Sequence, residues 1–317
     1  MRPKGLRRLL RPFIVVILGV SAGCLIALLP SMHSNPSAPV IAFIARTSGT
    51  NFTEDMRRGA QAAAQNAGYQ IYWNAPTRED DLDRQILLIE NAMRRGAKAL
   101  ILGPTNVGGV TTMVGKLVAR KIPIVFVQTQ APMPPNRYLM SVTPDQSQFG
   151  RIAAERIARV TGGSGEVALV GVDRGTPETL ARAQSFMRTI ADYPELKVVA
   201  QSAGSVQILE AEQSTREILN NYPKIKAIFA ASADATQGAM LALQDNDIEH
   251  KIALVGCDRD LFLSDNLHQG KLDSLVVADG YRIGYLAAHS AIAGVEGQAF
   301  QSPIHVEATL LTQDSNR

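Results

Sequence analysis

The sequence predicts an α/β protein built from two doubly wound parallel sheets. Short apolar and β-branched runs alternate with segments of helical periodicity along nearly the whole chain. This alternation is typical of parallel sheets covered by helices on both faces. An irregular stretch expected at residues 129–145 divides it into two series, and 317 residues exceed one typical core. We therefore expect one sheet from each series.

The first series is predicted to alternate strands with helices from the first apolar run onward. Its strands are expected at Val40–Ala45, Gln70–Trp73, Ala99–Leu102 and Ile124–Gln128. Its helices are expected at Phe52–Ala67, Asp80–Arg95 and Val107–Arg120. Gly68 and Gly96 follow the first two helices, and glycine commonly ends a helix because it adopts the left-handed conformation.

The second series repeats the alternation and begins with a helix. Its helices are expected at Gln146–Thr161, Pro177–Ala191, Leu209–Asn221, Thr236–Asp245, Leu261–Gln269 and Tyr281–Ala293. Its strands are expected at Glu166–Val172, Lys197–Ser202, Ala227–Ala231, Ile252–Gly256 and Leu275–Ala278, with an extended tail from His305. Strand-helix-strand units of this kind give parallel neighbours within a sheet.

The charge distribution sets the N-terminal segment apart from the rest of the chain. Five of the 32 basic residues and none of the 29 acidic residues lie before residue 38, so the remainder is near neutral. A near-neutral chain with 5% aromatic residues lacks the basic surface that nucleic-acid binding requires. We therefore expect no nucleic-acid partner.

The N-terminal segment, residues 1–37, is predicted to direct export or to anchor the chain in a membrane. A basic stretch precedes the apolar run Phe13–Leu29, so the chain that follows is expected on the outer side. Three outcomes stay open: an uncleaved anchor, a lipoprotein signal processed at Cys24, and a conventionally cleaved signal. Each places the remaining chain in the periplasm or on the outer face of the cytoplasmic membrane.

Candidate binding residues follow the predicted strands. Ligands of open parallel sheets bind in the crevice outside the carboxyl ends of the strands. Polar and charged side chains there favour hydrogen bonding to a small polar ligand. The positions selected by this rule are Arg46 to Asn51, Gly103 to Asn106, Gln128, Asp173 and Arg174, Ser232 to Asp234, and Asp258 to Asp260.

The sequence lacks the arrangements that catalysis, metals or cofactors require. It contains no G-x-S-x-G elbow, its histidines have no metal-ligand spacing, and the glycines of residues 162–165 do not join a strand to a helix. Cys24 and Cys257 are not expected to pair, and Cys257 is predicted to be a core residue. We therefore expect neither an enzyme nor a cofactor or metal site.

An ordered series of short motifs runs through the predicted strands and their loops. It begins with VIAFIARTSGTNFTEDMRRGAQAAA at residues 40–64, which covers the first strand, a loop and a helix. It continues with LGPTN at 102–106, IPIV at 122–125, LVGCD at 254–258 and the Gly-Lys-Leu triplet at 270–272. Over roughly residues 39–310 the series resembles the periplasmic sugar-binding family of the ribose-binding type.

The resemblance implies two similar lobes joined by a hinge of three crossovers, with the ligand in the cleft between them. Lobe one is expected to comprise residues 38–142 plus 279–307, and lobe two residues 143–278 plus 308–317. The hinge is expected to close the lobes over the ligand.

The resemblance also adds residues to the site. Phe52 falls on a family aromatic position, and Asp258 matches the ligand aspartate of the family. The arginine of its second lobe falls near Leu180 or Arg182. With the strand-end positions, the predicted ligand-binding residues are Arg46, Thr47, Asn51, Phe52, Gln128, Arg182, Ser232, Asp234 and Asp258.

This chain departs from the family at several of these positions. Gln128 and Thr129 replace the Asp-Arg pair that follows the IPIV strand, and Ser232 and Ala233 replace an asparagine and an aspartate. Arg46 stands where a small polar residue is usual. Its guanidinium is expected either to hold a carboxylate or phosphate of the ligand or to pair with Asp258 or another acid of the cleft.

The resemblance implies a solute-binding protein that delivers a small polar, sugar-like ligand to an ABC permease. The alternative is a ligand-sensing subunit that signals to a membrane kinase or chemoreceptor. The effector domain of a transcription repressor shares this fold, but here an apolar segment stands in place of a helix-turn-helix.

Overall fold

The computed structural model describes residues 38–78, 80–173, 176–203, 207–244, 251–300 and 303–315. The predicted signal or anchor at residues 1–37 and the thiol of Cys24 lie outside these ranges. Within them, no helix combines the length and the apolar character that a membrane crossing needs.

The first sheet has six strands, all paired in parallel. They are β1 (Val40–Ile44), β2 (Gln70–Asn74), β3 (Ala99–Leu102), β4 (Ile124–Val127), β5 (Leu139–Pro144) and β11 (Ile304–Val306). Their order is β11-β5-β4-β3-β1-β2. The order reverses beside β1, so the crevice that binds ligands in such sheets lies outside the carboxyl ends of β1 and β3.

Helices cover both faces of this sheet because successive residues of a buried strand point to opposite sides. Phe43 and Ile101 pack on the side of helices α1 (Asn51–Asn66) and α9 (Gly280–Val295). Ile44 and Leu102 pack on the side of helices α2 (Leu82–Arg94) and α3 (Val107–Ala119). These layers form the unit that we call lobe one.

The second sheet repeats the same winding. Its strands are β6 (Gly165–Val172), β7 (Leu196–Ala203), β8 (Ile225–Ala230), β9 (Ala253–Cys257), β10 (Ser274–Ala278) and β12 (Ala308–Thr312), in the order β12-β10-β9-β8-β6-β7. Its helices are α4 (Gln146–Thr161), α5 (Pro177–Ile190), α6 (Ile208–Asn221), α7 (Ala233–Gln244) and α8 (Leu261–His268). The crevice here lies outside β6 and β8. We call this unit lobe two.

Two elements differ from the sequence prediction. The stretch 129–145 is not irregular throughout, because β5 is a fully buried strand paired with β4 and β11. Its sequence LMSVTP mixes polar residues and proline with apolar ones, and the loop from β4 contains no helix to signal a crossover. In addition, β12 runs antiparallel to β10, so the second sheet is mixed at its edge.

The chain passes between the sheets three times, after β5, after β10 and after β11, as the prediction of three crossovers requires. The first and third passages lie side by side. The amide N–H of Asp145 donates to the carbonyl of Val306 at 2.9 Å, and that of Ala308 donates to Oε1 of Gln148 at 3.2 Å. These hydrogen bonds tie two crossovers into one connection.

Helices α1 and α9 pack so closely that a side chain at Gly284 has no room. A Cβ atom there would lie 1.9 Å from the carbonyl oxygen of Met56. We expect Gly284→Ala to lower the free energy of unfolding by about 1–3 kcal/mol, because backbone cannot yield as a flexible side chain does. Urea denaturation followed by circular dichroism measures this change.

The matched control is Gly115→Ala in α3, where an added Cβ meets nothing within 4 Å. Alanine is the better helix former, so this variant should gain about 0.5–1 kcal/mol. Equal losses in both variants would show that the close approach of α1 and α9 does not set the cost.

Candidate functional site

The carboxyl edge of lobe two is organised around the guanidinium of Arg182. This side chain extends from α5, is 7% exposed, and donates to Oδ2 and Oδ1 of Asp258 at 2.8 and 3.1 Å. It also donates to the carbonyl of Ala231 at 2.9 Å and to Oε1 of Gln146 at 2.8 Å. Its Cζ lies 4.1 Å from the ring centre of Phe149. The charge is therefore buried with its hydrogen bonds satisfied.

A close helix contact holds Arg182 in this place. Gln146 and Phe149 belong to α4, and the glycine one residue later, Gly150, lets α4 approach α5. A Cβ atom at Gly150 would lie 2.0 Å from the backbone carbonyl of Arg182. Proline at the start of α5 is preorganised for a helix N-terminus.

Asp258 presents the accessible part of this pair. It directly follows β9 with a φ of 63°, a left-handed conformation that is uncommon for a residue other than glycine. Its side chain remains 40% exposed although both oxygens accept from Arg182. Each carboxylate oxygen has a second lone pair, which can accept a hydrogen bond from a hydroxyl group of a ligand.

The guanidinium of Arg182 stays charged. Burial acts to lower the pKa of Arg182, but attraction to the Asp258 carboxylate outweighs it and raises the pKa. A carboxylate fixed by two parallel N–H···O bonds is a rigid acceptor, which favours selective hydrogen bonding over loose electrostatic attraction.

The thiol of Cys257 lies next to this pair and is buried. Burial raises its pKa to about 12, against the lowering influence of Arg182. We expect Cys257 in the native protein to resist alkylation by iodoacetamide at mildly alkaline pH. It should react once guanidinium chloride has unfolded the chain. Peptide mass spectrometry reads the labelling at this position, and rapid labelling of the native protein would contradict the prediction.

Ser232 and Asp234 lie at the start of α7, beside this edge. The hydroxyl oxygen of Ser232 accepts from the amide of Ala235 at 3.2 Å, so it caps the helix. Asp234 is exposed in the first turn. Both predicted site residues thus lie at the carboxyl end of β8, near the carbonyl of Ala231 that Arg182 binds.

The carboxyl edge of lobe one is held by the buried amide of Gln85. Its Nε2 donates to the carbonyls of Ala45 at 3.1 Å and Gly103 at 2.9 Å, and its Oε1 accepts from the amide of Thr105 at 2.9 Å. These bonds join the ends of β1 and β3. The residue that follows Ala45 is Arg46, so the clamp fixes the backbone from which Arg46 extends.

Arg46 is half-buried, and its Nε donates to the carbonyl of Pro104 at 3.1 Å. Among the residues that the structure describes, no carboxylate oxygen lies within 4.0 Å of its guanidinium nitrogens, the distance that defines an ion pair. The alternative of a salt bridge between Arg46 and Asp258 is therefore wrong, since Asp258 pairs with Arg182. The two terminal nitrogens of Arg46 remain without a described acceptor.

Gln128 lies beside Arg46 in a conformation with a φ of 71°. Its Oε1 is buried and has no hydrogen-bond partner in the described part of the chain. A Cβ atom at Gly103 would lie 2.6 Å from this oxygen and 3.2 Å from the backbone nitrogen of Arg46. Gln128 and Arg46, both predicted site residues, therefore both lie against Gly103.

The other three predicted residues of lobe one lie at the loop and helix after β1. The hydroxyl of Thr47 is buried and lies 3.4 Å from the carbonyls of Ser48 and Thr77. Asn51 is half-buried as the first residue of α1. Phe52 follows it and packs against the core shared with α9.

An ion pair between the lobes brings the two edges together. Arg259, next to Asp258, donates to Oδ2 of Asp55 at 2.8 Å. Asp55 lies one turn after Asn51 and Phe52 in α1. The end of β9 in lobe two therefore faces the N-terminal end of α1 in lobe one.

Two surface depressions lie away from these edges. One of about 360 Å³ is lined by residues 130–135, Met140, Ser141 and Pro303. Another of about 500 Å³ includes Lys226 and Ile252 at the amino ends of β8 and β9. Neither includes a predicted site residue, and the second lies opposite the carboxyl ends of the strands, where ligands of such sheets bind. Across the described ranges, no group of three or more His, Cys, Asp or Glu residues is placed to hold a metal.

The sequence pointed to Arg182 and Asp258 separately but not to their contact, because 76 residues separate them. Gln85 appeared in no strand-end selection, since it lies on a helix. The ion pair of Arg259 with Asp55 was also missed. One signal for it was available: Arg259 belongs to the selected stretch that begins at Asp258.

Comparisons with known proteins agree with this architecture. A family model described as a periplasmic binding protein domain matches residues 41–299. The ribose import binding protein RbsB of Bacillus subtilis is 25% identical over 284 residues, which cover 90% of each chain.

Solved structures share the fold over most of the chain. AraP, an arabinose binding protein from Geobacillus stearothermophilus, has a TM-score of 0.82 at 20% identity and covers 87% of this chain and 97% of its own. An ABC transporter periplasmic solute binding protein from Actinobacillus succinogenes with bound D-allose has a TM-score of 0.76 at 22% identity, covering 87% and 98%.

Proposed function

The chain belongs to the periplasmic binding protein family, and we propose that it is an extracytoplasmic solute-binding protein that closes around a small, sugar-like ligand and delivers it to an ABC permease. The observation that carries this proposal is the pair of Arg182 and Asp258. It fixes a partly exposed carboxylate at the carboxyl edge of lobe two, opposite α1 of lobe one. A rigid acceptor between two lobes suits a polyhydroxylated ligand.

The relatives support delivery over sensing. RbsB of Bacillus subtilis carries the name of a ribose import binding protein, and AraP that of an arabinose binding protein. At 20–25% identity the scaffold is shared while individual contacts are free to differ. The changes at Arg46 and Gln128 therefore favour a ligand other than these neutral pentoses.

The protein acts outside the cytoplasm and binds its ligand without converting it. Among its described residues the site offers a fixed carboxylate, guanidinium groups and amides, but no nucleophile paired with a base. The thiol next to the site, Cys257, is buried and protonated.

A thermal-unfolding screen of the full chain in mild detergent tests the proposal. The panel consists of pentoses, hexoses and their acid derivatives. At a hundredfold excess over its Kd, a bound sugar should stabilise the native state by about 2.7 kcal/mol. Mass spectrometry of the released sugar should show it unchanged. Absence of stabilisation by every member, or chemical conversion of the bound one, would overturn the proposal.

A further inference from the structure

We infer that the ligand is a sugar acid, whose carboxylate is bound by Arg46 of lobe one while its hydroxyl groups bind Asp258 of lobe two. This inference rests on the proposed function and names the substrate class of the same site. The relatives named above are described with neutral sugars, ribose, arabinose and D-allose.

The first step is the geometry of Arg46. Its Nε donates to the carbonyl of Pro104 at 3.1 Å, and its two terminal nitrogens have no acceptor among the described residues. The hydrogen bonds of Gln85 to the carbonyls of Ala45 and Gly103 fix the residues that precede Arg46 and its acceptor Pro104. A guanidinium held in this way is preorganised to donate two parallel hydrogen bonds to a planar carboxylate.

The second step is the balance of charge between the lobes. Arg182 pairs with Asp258, and Arg259 shares the carboxylate of Asp55 with Arg58. In the ranges that the structure covers, Arg46 has no carboxylate within ion-pair distance. Closure of the lobes around a neutral sugar would desolvate this cation with no counter-charge from the described residues, which is costly. A carboxylate on the ligand supplies the missing charge.

The third step is the neighbouring amide of Gln128. Its buried Oε1 has no described partner and meets the Arg46 backbone over Gly103. Buried amide oxygens normally accept a hydrogen bond. One without a described partner beside a binding arginine therefore indicates a donor that arrives with the ligand. A hydroxyl next to the carboxylate of a sugar acid provides such a donor.

Calorimetry on the full chain with a matched ligand series tests the inference. The probes are D-galactose, D-galacturonate, and galactose phosphorylated on the terminal hydroxyl group that is replaced by the carboxylate in galacturonate. D-arabinose and D-arabinonate form a second pair. In at least one pair the acid should bind about tenfold to a hundredfold more tightly than its neutral partner. Arg46→Met should abolish that preference.

Arg120→Met is the control, because it removes one positive charge from an exposed position at the end of α3. It should leave the preference for the acid unchanged. Arg46→Gln serves as a second variant if the methionine variant does not fold, and the wild-type preference is measured independently of both.

Absence of an acid preference in both pairs, a preference for the phosphate over the acid, or an acid preference that survives in Arg46→Met would overturn the inference while leaving the proposed function intact. Binding of none of the probes would count against both, since the neutral members test the proposed function and the acids the inference.

Discussion

The variant Arg182→Met is expected to lose about 3 kcal/mol of its free energy of unfolding and nearly all of its sugar binding. Methionine leaves the carbonyl of Ala231, Oε1 of Gln146 and the carboxylate of Asp258 without their donor. The expected loss is at the lower end for a broken buried pair, because Asp258 is 40% exposed and water reaches it. Urea denaturation measures the stability, and calorimetry measures the binding.

Arg156→Met is the matched control. Arg156 also holds a carboxylate with two hydrogen bonds, to Asp273 at 2.7 and 2.8 Å, but each side chain is 19% exposed. Asp273 precedes β10 and so lies at the amino edge of the sheet, away from the site. We expect a loss of stability of similar size, because Asp273 is left without its donor at a less exposed position, and unchanged binding. Equal loss of binding in both variants would show that Arg182 acts only through general stability.

The variant Asp258→Asn is expected to weaken sugar binding by about tenfold to a hundredfold, because a hydroxyl bonded to a charged acceptor contributes about 1.5–3 kcal/mol. It should also lower stability, since Arg182 then keeps a buried charge without its counter-charge. Calorimetry is to be performed at a temperature where the variant is fully folded. Affinity within threefold of wild type would remove Asp258 from the site.

The double variant Arg182→Met with Asp258→Asn separates the effect of this ion pair on stability from its effect on sugar binding. Residues in direct contact have non-additive effects, so the double variant should lose less stability than the two single losses together. Its binding should remain lost. Additive losses of stability would indicate that the bidentate contact contributes little.

The strand ends were predictable from sequence because buried parallel strands are continuous apolar runs with a sharp polar end. Two such ends are Val40–Ile44, which continues through Ala45 to Arg46, and Ala253–Cys257, which is followed by Asp258. Strand β5 was not predicted, because Ser141, Thr143 and Pro144 interrupt its apolar pattern although all three are buried in the sheet. Local periodicity carries no information on a strand that is defined by its neighbours.

The partners across the site were not predictable, because they depend on how helices pack. Gly150 lets α4 approach the backbone of Arg182, which pairs with Asp258 across 76 residues, and Arg259 pairs with Asp55 across 204 residues. Without those contacts, the sequence left Arg46 with two readings, ligand binding or a salt bridge. The packing assigns Asp258 to Arg182 and so removes its salt bridge with Arg46.

A crystal structure of the protein with its tightest-binding sugar tests the central claim most directly. We predict the sugar between the lobes, with a hydroxyl of the sugar donating to the carboxylate of Asp258 at about 2.5–3.0 Å and a group of the same sugar in contact with Arg46. A sugar bound instead in the depression lined by residues 130–135, with Asp258 and Arg46 untouched, would contradict the account.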